Sequence, residues 1–494
     1  MLPVISKTNY FNDGHCPRLT WRRAHQPAGF PRIDSASRFI MENGTRVGEL
    51  ARKLYPNGIL LRRLSDPAAH VAQSREALLT RKPVFEAGFI HGGAYALSDI
   101  LVPVGENEWD ICEVKSTTNP DEHHIEDVAF QRFVCEGAGL KIRRCYIVYL
   151  NKGYVLDGEI DPQKLFSRQD VTPQTLALLN KYAPAVNSMQ TVVGLTDEPP
   201  AVVGPHCFDP RVCSFVDECI EGFGPDHVLS LARGKQKAFE LMRKGIHHLA
   251  DIPASTKLSP YQKIQVEAHR SGKPHIDLPA IQAFLQKFTY PLYFLDFETL
   301  SLPWPVYPGC RPNAVIPFQY SLHVVSEPGA KPIHSAFIAE GRLDPRPELI
   351  RTLRALLGTS GSIVAYNAGF EQSRLKEMAA AIHDPDLVRW VASVIPRFVD
   401  ELKPFSEFNY YHPGQGGSAS IKHVLPVVSD LSYKDMLIGN GGLASAEFYR
   451  VTFGEGILEA DRQQVRDALL RYCEQDTYAM IVIYDFLQKL VANS

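Results

Sequence analysis

Hydrophobic and polar positions along this chain follow two rhythms, one of period two and one of helical period, and they divide it into three stretches. In the first, YALSDILVPV has the β-prone pattern of a strand, GEN supplies turn residues, and EWDICEVKS resumes the strand. The spacing predicts a hairpin centred on Glu106, with Val104 facing Glu108. A helix and a further strand follow, giving a strand-turn-strand-helix-strand order within residues 1–220. Residues 221–285 read as a helical connector, with LSLARGKQKAFELMRKGI and PYQKIQVEAHRSGK separated by Pro253 and Pro260. From PLYFLDFETL onward, strands and helices alternate through a second domain, 286–494, so the expected class is α/β. Proline-rich segments around 199–210 and 302–316 read as loops, and no internal repeat or low-complexity tract interrupts the pattern.

Acidic residues sit where that pattern makes them costly. The hairpin register places Asp99 opposite Glu113, and directly opposed residues share a face with Cβ atoms ~4.5–5.5 Å apart. Lys115 joins that face because strand side chains repeat every two residues. Two carboxylates so close repel in a half-buried site unless a cation lies between them. Magnesium or manganese, which prefer oxygen ligands, would resolve the conflict, and Lys115 would orient a water or stabilise charge on a phosphate. A surface hairpin with an Asp/Glu/Lys ion-pair ladder fits the same three residues. In PLYFLDFETL, Asp296 and Glu298 leave the same face of a strand hydrophobic enough to be central in its sheet. Two acids there are expensive without a cation. In SIVAYNAGFEQSRLKEMAAAI, Asn367 suits a turn or cap and Glu371 falls in the first helical turn. DRQQVRDALLRYCEQDTYAMIVIYDFLQKL reads as one or two helices, with Tyr472 and Asp476 on one face.

Composition narrows the picture only a little. The 494 residues are 45% hydrophobic and 22% charged, the profile of an ordinary globular protein. No apolar run approaches the ~18 residues of a membrane span. The start, MLPVISKTNYFNDGHC, lacks the pattern of a signal peptide, so cytoplasm is the expected compartment. A net charge of −3 names no partner, and the basic pairs Arg22-Arg23, Arg52-Lys53 and Arg62-Arg63 suit a phosphate contact or a solvated face equally. Nine cysteines in such a compartment point to thiols or metal ligands. Cys207, Cys213 and Cys219 cluster in HCFDPRVCSFVDEC, and Cys16 stands far upstream in HCPRLTW. Such a quartet suits tetrahedral zinc or an iron–sulfur cluster, and spacing does not choose between them. Cys112, Cys135, Cys145, Cys310 and Cys473 show no grouping and read as buried small hydrophobes.

Resemblances to known families sharpen these readings. The segment FEAGFIHGGAYALSDIL…WDICEVKST…IEDVAFQRFVCEGAGLKIRRCYIVYLN resembles the PD-(D/E)XK nucleases of the RecB type. That resemblance implies a restriction-endonuclease-like fold, metal binding by Asp99 and Glu113, catalysis by Lys115, and support from Gln131 on the next helix. Cys135 stands where the family often has tyrosine, and Glu49 in NGTRVGELARKLYP is the best match to its upstream helical ligand. Cys16 followed by Pro-Arg, with three cysteines beyond the core, is similar to iron–sulfur nucleases: the AddB-type helicase-nucleases and the RecB-like exonucleases of CRISPR loci. It implies a 4Fe–4S cluster on Cys16, Cys207, Cys213 and Cys219. The order DxE, helical acid, YxxxD resembles the DEDD exonucleases of the DnaQ superfamily. It implies an RNase H-like fold, two metal ions on Asp296, Glu298, Glu371 and Asp476, and an attacking water positioned by Tyr472. Glu371 departs from the aspartate usual there. Across its length the chain resembles an uncharacterised bacterial family that joins these two domains. GPHCFDPRVCSFVDEC, FVDELKPF, YYHPGQGGSASIKHVLP and YKDMLIGNGGLASAEFY are further signatures of that family. Asp400 and Lys422 in those stretches suit phosphate contact, support of the ligands, or plain structure. The expected function is metal-dependent hydrolysis of nucleic acid, DNA ahead of RNA, in repair or phage defence and away from membranes. The alternative is a nucleic-acid-binding scaffold with one or both sites inactive.

Overall fold

The expected hairpin forms, and it lies inside a larger sheet. In the computed structural model, which describes residues 3–209, 212–220 and 223–493, seven strands build the first sheet. They are β1 (Ile5–Ser6), β2 (Ile59–Leu60), β3 (Val84–His91), β4 (Ala94–Val104), β5 (Glu108–Lys115), β6 (Lys141–Leu150) and β7 (Phe166–Asp170). Their order is β2-β3-β4-β5-β6-β7, with β1 added alongside β4. The register of β4 on β5 runs from Val104 opposite Glu108 to Ile100 opposite Cys112, as the spacing predicts. Between β3 and β4 the chain reverses at Gly92 and Gly93, whose φ angles of +53° and +80° suit glycine.

Helices α1 (Lys7–Asp13), α2 (Pro17–His25), α3 (Ser35–Arg52) and α4 (Pro67–Leu78) surround the first strands. Because β5 and β6 are parallel, the chain must cross over between them, and α5 (Glu122–Gly137) does so. A reciprocal cap between Asp121 and His124 starts α5. Its Val128, Ala129, Phe130 and Val134 enter a core shared with Phe89, Ile111 and Ile147. The valine, isoleucine and phenylalanine side chains each contribute about 1.5–3 kcal/mol by leaving water. Gln131, on the same helix, is also fully buried.

The second sheet has the order β11-β10-β9-β12-β13, formed by β9 (Leu292–Ser301), β10 (Val315–Val325), β11 (Ile333–Ile338), β12 (Ser362–Ala365) and β13 (Phe398–Asp400). A small pair, β8 (His275–Ile276) and β14 (Tyr410–Tyr411), stands apart from it. The DxE strand β9 is central, antiparallel to β10 and parallel to β12. Its Tyr293, Leu295 and Phe297 pack with Leu349, Leu353 and Leu375 on one face. Leu292 and Phe294 turn to the other face, against Met480, Ile481 and Tyr484 of the terminal helix. Period two therefore sends Asp296 and Glu298 toward that helix. The helix is one continuous element, Glu459–Ala492, of 34 residues and about 50 Å at 1.5 Å per residue.

The chain divides into two compact units, Met1–Ser214 with Leu302–Ala314, and Phe215–Ser301 with Val315–Ser494. Two expected boundaries shift accordingly. The connector 221–285 is no separate element: its helices Lys235–Met242 and Pro260–Ser271 belong to the second unit. The loop after β9 belongs to the first unit, where Leu156 and Gly309–Cys310 exchange two backbone hydrogen bonds of 2.9 Å.

Candidate metal centres

In the first unit, Asp99 and Glu113 follow directly on the last paired residues of β4 and β5, Ile100 and Cys112. Asp99 Oδ2 accepts the Val114 N–H at 2.8 Å, which fixes the carboxylate beside the next strand. Both acids line a cavity of about 630 Å³ with Lys7, Arg52, Arg63 and Glu86. Lys115 donates to Glu113 Oε1 at 2.8 Å and pairs with Asp127. Gln131 Nε2 donates to Glu113 Oε2 at 2.6 Å and to Asp127 Oδ1 at 3.2 Å, while its Oε1 accepts from Ser98 at 3.1 Å. Asp99, Glu113, Lys115 and Gln131 thus converge.

Three more residues join them that sequence reasoning missed. Lys7, on α1, lies 3.0 Å from Glu113 Oε1 and 2.6 Å from Asp127 Oδ1. No motif marks it, because it reaches the site from 106 residues away. Asp127 had a signal: it precedes Gln131 by four residues and so shares its helical face. Glu86 had one as well, an acid inside the apolar strand VFEAGFIH, where it adopts a φ of +60°. Glu49 is a correction. Its carboxylate turns to Arg46 at 2.8 Å on the outer side of α3, and the same helix presents Gly44, Thr45, Gly48 and Arg52 to the cavity instead.

Burial alone would lower the ammonium pKa of Lys7 and of Lys115, but Glu113 and Asp127 outweigh it and raise both. Each therefore stays charged at neutral pH. Burial raises Asp99, against the pull of the two lysines, and raises Glu86 against Arg63 and Arg52. The oxygen donors fit a hard divalent ion, which would compete with Lys7 for Glu113.

The second unit gathers its acids differently. Asp296, Glu298, Glu371, Tyr472 and Asp476 line one cleft of about 310 Å³, with Asn367 at its edge. Strand β9 supplies the first two, the start of helix Gly369–Ile382 supplies Glu371, and the terminal helix supplies the last two. Asn367 stands two residues before that helix in the left-handed region, φ +77°, at the turn leaving β12. Asp476 Oδ1 accepts from Tyr433 at 2.7 Å. Lys422 Nζ donates to the Gly439 carbonyl at 2.6 Å and lies 3.4 Å from the Tyr472 hydroxyl. Tyr433 is a further residue that sequence reasoning missed.

These acids lack an adequate counter-charge. Burial, then Asp476, Glu298 and Glu371, raises Asp296 well above the usual carboxylate range. Burial pushes Glu298 up to about 8, with Asp476 adding to it and Lys422 opposing. Glu371 rises to about 8 and Asp476 to about 6, burial again the largest cause. Glu371 is 2% exposed, and none of the described residues donates to its Oε2. Acid oxygens this buried and this short of donors fit oxygen-preferring divalent ions.

Cys473 corrects its reading as a plain hydrophobe. It is buried, but its Sγ lies 3.6 Å from Asp296 Oδ2, within this cluster. Asp400 stays outside the cleft, and its Oδ1 accepts the N–H of Asn367 at 3.0 Å and of Leu402 at 3.1 Å. That role is to hold the turn carrying Asn367.

Three of the cysteine segments, those of Cys16, Cys207 and Cys213, meet within the first unit. Cys16 caps α2, whose Trp21 donates to the Leu195 carbonyl at 3.0 Å and whose Arg22 pairs with Glu198 at 2.6 Å. His15 and His206, neighbours of Cys16 and Cys207, bring their rings within 5.6 Å. The Cys213 N–H donates to the Cys207 carbonyl at 2.8 Å. Cys219 closes the short helix Val216–Cys219 at the start of the second unit. Pro210 and Arg211 of this motif lie outside the described residues.

The family match with known proteins falls mainly on the second unit. A family described as "Domain of unknown function (DUF2779)" matches residues 293–420, from β9 almost to helix Ile421–Val428. That span holds Asp296, Glu298 and Glu371, and ends before Lys422, Tyr472 and Asp476. The chain is 26% identical to uncharacterized protein UU173 of Ureaplasma parvum over 268 residues, 50% of this chain and 37% of that protein. It is 27% identical to the MG366 homolog of Mycoplasma pneumoniae over 226 residues, 42% and 34% of the two chains. With uncharacterized protein MG366 of Mycoplasma genitalium it shares 31% identity over 143 residues, 27% of this chain and 21% of that one. The chain therefore spans about a third or less of the length of these curated relatives, and no solved structure matches it.

Proposed function

We propose that the chain is a metal-dependent nuclease with two hydrolytic centres, a RecB-like PD-(D/E)XK unit followed by a DnaQ-like, RNase H-like unit. The observation that carries this is the convergence of Asp296, Glu298, Glu371 and Asp476 in one cleft, with Lys422 acting on Glu298 and Asp476 and Arg374 on Glu371 as partial counter-charges. Ions of the magnesium or manganese class would be held by those four acids and, in the first unit, by Asp99 and Glu113. When bound they supply Lewis-acid stabilisation of phosphoryl oxygens and a more acidic water.

The chain's own groups do the rest. Burial and the neighbouring acids raise Tyr472 far above its ordinary value, so it remains a phenol and acts as a donor. With its hydroxyl beside Lys422, it would orient the attacking water rather than deprotonate it. Lys115, likewise held charged, is no general base at neutral pH and would stabilise charge on the phosphate. The meeting of the Cys16, Cys207 and Cys213 segments supports an iron–sulfur cluster on those thiols, with zinc as the other occupant of such a set. A brown protein with absorbance near ~400 nm, bleached by Cys213→Ser, distinguishes cluster from zinc.

A second reading applies to the first centre alone. Lys7 already bridges Glu113 and Asp127, which favours a pocket that grips nucleic acid without cutting it. Labelled single- and double-stranded DNA and RNA, incubated with magnesium or manganese, separate the readings. Wild type should degrade at least one substrate, and Lys115→Ala and Asp296→Ala, singly and together, should assign each activity. Inert protein on every substrate removes the nuclease reading and leaves a binding scaffold.

A further inference from the structure

Outside both acidic clefts, a third group of donors converges in the second unit. β10 and β11 place His323 directly opposite His334, so the two imidazoles share a face, with ring centroids 4.5 Å apart. The terminal helix adds Glu474, whose Oε1 lies 3.6 Å from His334 Nδ1. One ligating atom from each of the three lies within 4.8 Å of the other two.

The remaining ring nitrogens are already engaged. His323 Nδ1 lies 2.8 Å from Thr477 Oγ1, and His334 Nε2 lies 2.9 Å from Ser321 Oγ. The two hydroxyls are 2.7 Å apart, and Thr477 Oγ1 is 3.0 Å from the Glu474 carbonyl. One proton order satisfies every member. Both imidazoles donate to the hydroxyls, Ser321 donates to Thr477, and Thr477 donates to the Glu474 carbonyl. That order leaves lone pairs on His323 Nε2 and on His334 Nδ1, the latter 3.6 Å from Glu474 Oε1. Hydrogen bonds from the far ring nitrogen are how metal-ligating histidines are held in tautomer and orientation. Burial, and then His334, pushes His323 down to about 4, so it is neutral at physiological pH, as a ligand must be.

We infer that His323, His334 and Glu474 form a binding site for a zinc-class divalent ion, with a fourth position open to solvent. Two imidazoles and one carboxylate favour zinc, cobalt or nickel over the magnesium class expected in the carboxylate clefts. Ligands ~2.0–2.2 Å from a tetrahedral ion lie about 3.4 Å apart, so closure asks for a small swing of the Glu474 arm. Glu474 has that freedom, being 48% exposed. Such an ion would staple the β10–β11 hairpin to the helix that carries Tyr472 and Asp476.

Zinc-soaked crystals of the full chain test this directly. An anomalous difference map should show zinc bonded to His323 Nε2, His334 Nδ1 and Glu474, and a map without zinc on those atoms overturns the site. In solution, chelator-stripped full chain is titrated with cobalt and followed by ligand-field absorption. Thiolate charge-transfer bands report any cysteine-bound cobalt separately. His334→Gln and Glu474→Gln should each weaken cobalt binding at this site at least tenfold, and Asp296→Asn should leave it unchanged. Wild-type affinity in both variants overturns the inference. Both positions are solvent-accessible and should tolerate the changes, as thermal melts by circular dichroism will check. Because the readout is bound metal, the result is independent of whether the chain cleaves nucleic acid.

Discussion

The two acidic clefts pose the same electrostatic problem and solve it in different ways. In the first unit, Glu113 and Asp127 are matched by Lys7 and Lys115, and Gln131 donates to both acids. In the second, Lys422 offsets Glu298 and Asp476 and Arg374 offsets Glu371 only in part, and burial drives all four acids, Asp296 included, toward the protonated state. One cleft carries its own counter-ions, and the other would draw them from solution. A hard divalent cation entering the first must displace an ammonium group. Entering the second, it relieves repulsion. Affinity, stability and pH dependence should all differ between the two centres on that account.

The largest effect expected from this contrast is in activity. Asp296→Asn should lower cleavage by the second centre more than about 100-fold, since even groups that only support metal ligands are worth 10–100-fold. The same change should raise the melting temperature of metal-free protein, because it removes one of four mutually repelling buried acids. Asp99→Asn should silence the first centre with a smaller gain, since Lys7 and Lys115 partly offset the burial that raises its carboxyl. Calorimetry in chelator beside cleavage assays reads both quantities. Equal melting shifts in the two variants would erase the distinction between the clefts.

Lys7→Met probes the other side of the comparison. Removing an ammonium 3.0 Å from Glu113 should tighten manganese binding in the first cleft by about tenfold, the equivalent of ~1.4 kcal/mol. It should also cost about 1–3 kcal/mol of stability, less than a fully buried pair because Lys7 is 19% exposed. Manganese titration monitored by electron paramagnetic resonance measures the first effect, and urea denaturation the second. Unchanged manganese affinity would mean that Lys7 does not compete for the site.

Much of this contrast was legible in the sequence, but only one half of it. Asp296 and Glu298 stand out because two acids at i and i+2 interrupt an apolar strand, and β9 is central as that pattern requires. Asp99 and Glu113 follow from hairpin register, which turn residues and period two dictate locally. Lys7 has no such local signature. It reaches Glu113 through packing of α1 against the sheet, a contact across 106 positions that no periodicity encodes. Glu49 failed for the converse reason. The family resemblance points to the right helix, but which face of α3 meets the cavity is set by packing, and Gly48 and Arg52 face inward instead. His323 and His334 were invisible because their pairing depends on how β11 registers on β10.

The smallest effect, and the most direct reading of the missing counter-charge, is the pH dependence of metal-free stability. Glu298 and Glu371 titrate near 8 and Asp476 near 6 when folded, against about 4 when unfolded. A carboxyl whose folded pKa is raised holds its proton in the folded state after the unfolded chain has lost it. Stability from these groups is therefore complete below about pH 4 and drains away as pH climbs through 6 and 8. Lys7 and Lys115 have raised values too, but a lysine begins above 10, so their contribution is constant over that window. Asp99 adds to the same downward trend, which makes the second cleft's share a matter for substitution. In chelator, the melting temperature should fall steadily between pH 5 and 8.5, and saturating manganese should lessen the slope. Glu298→Gln should reduce it without metal. A slope unchanged in that variant, or one that manganese leaves untouched, would place the uncompensated charge somewhere other than the cleft between β9 and the terminal helix.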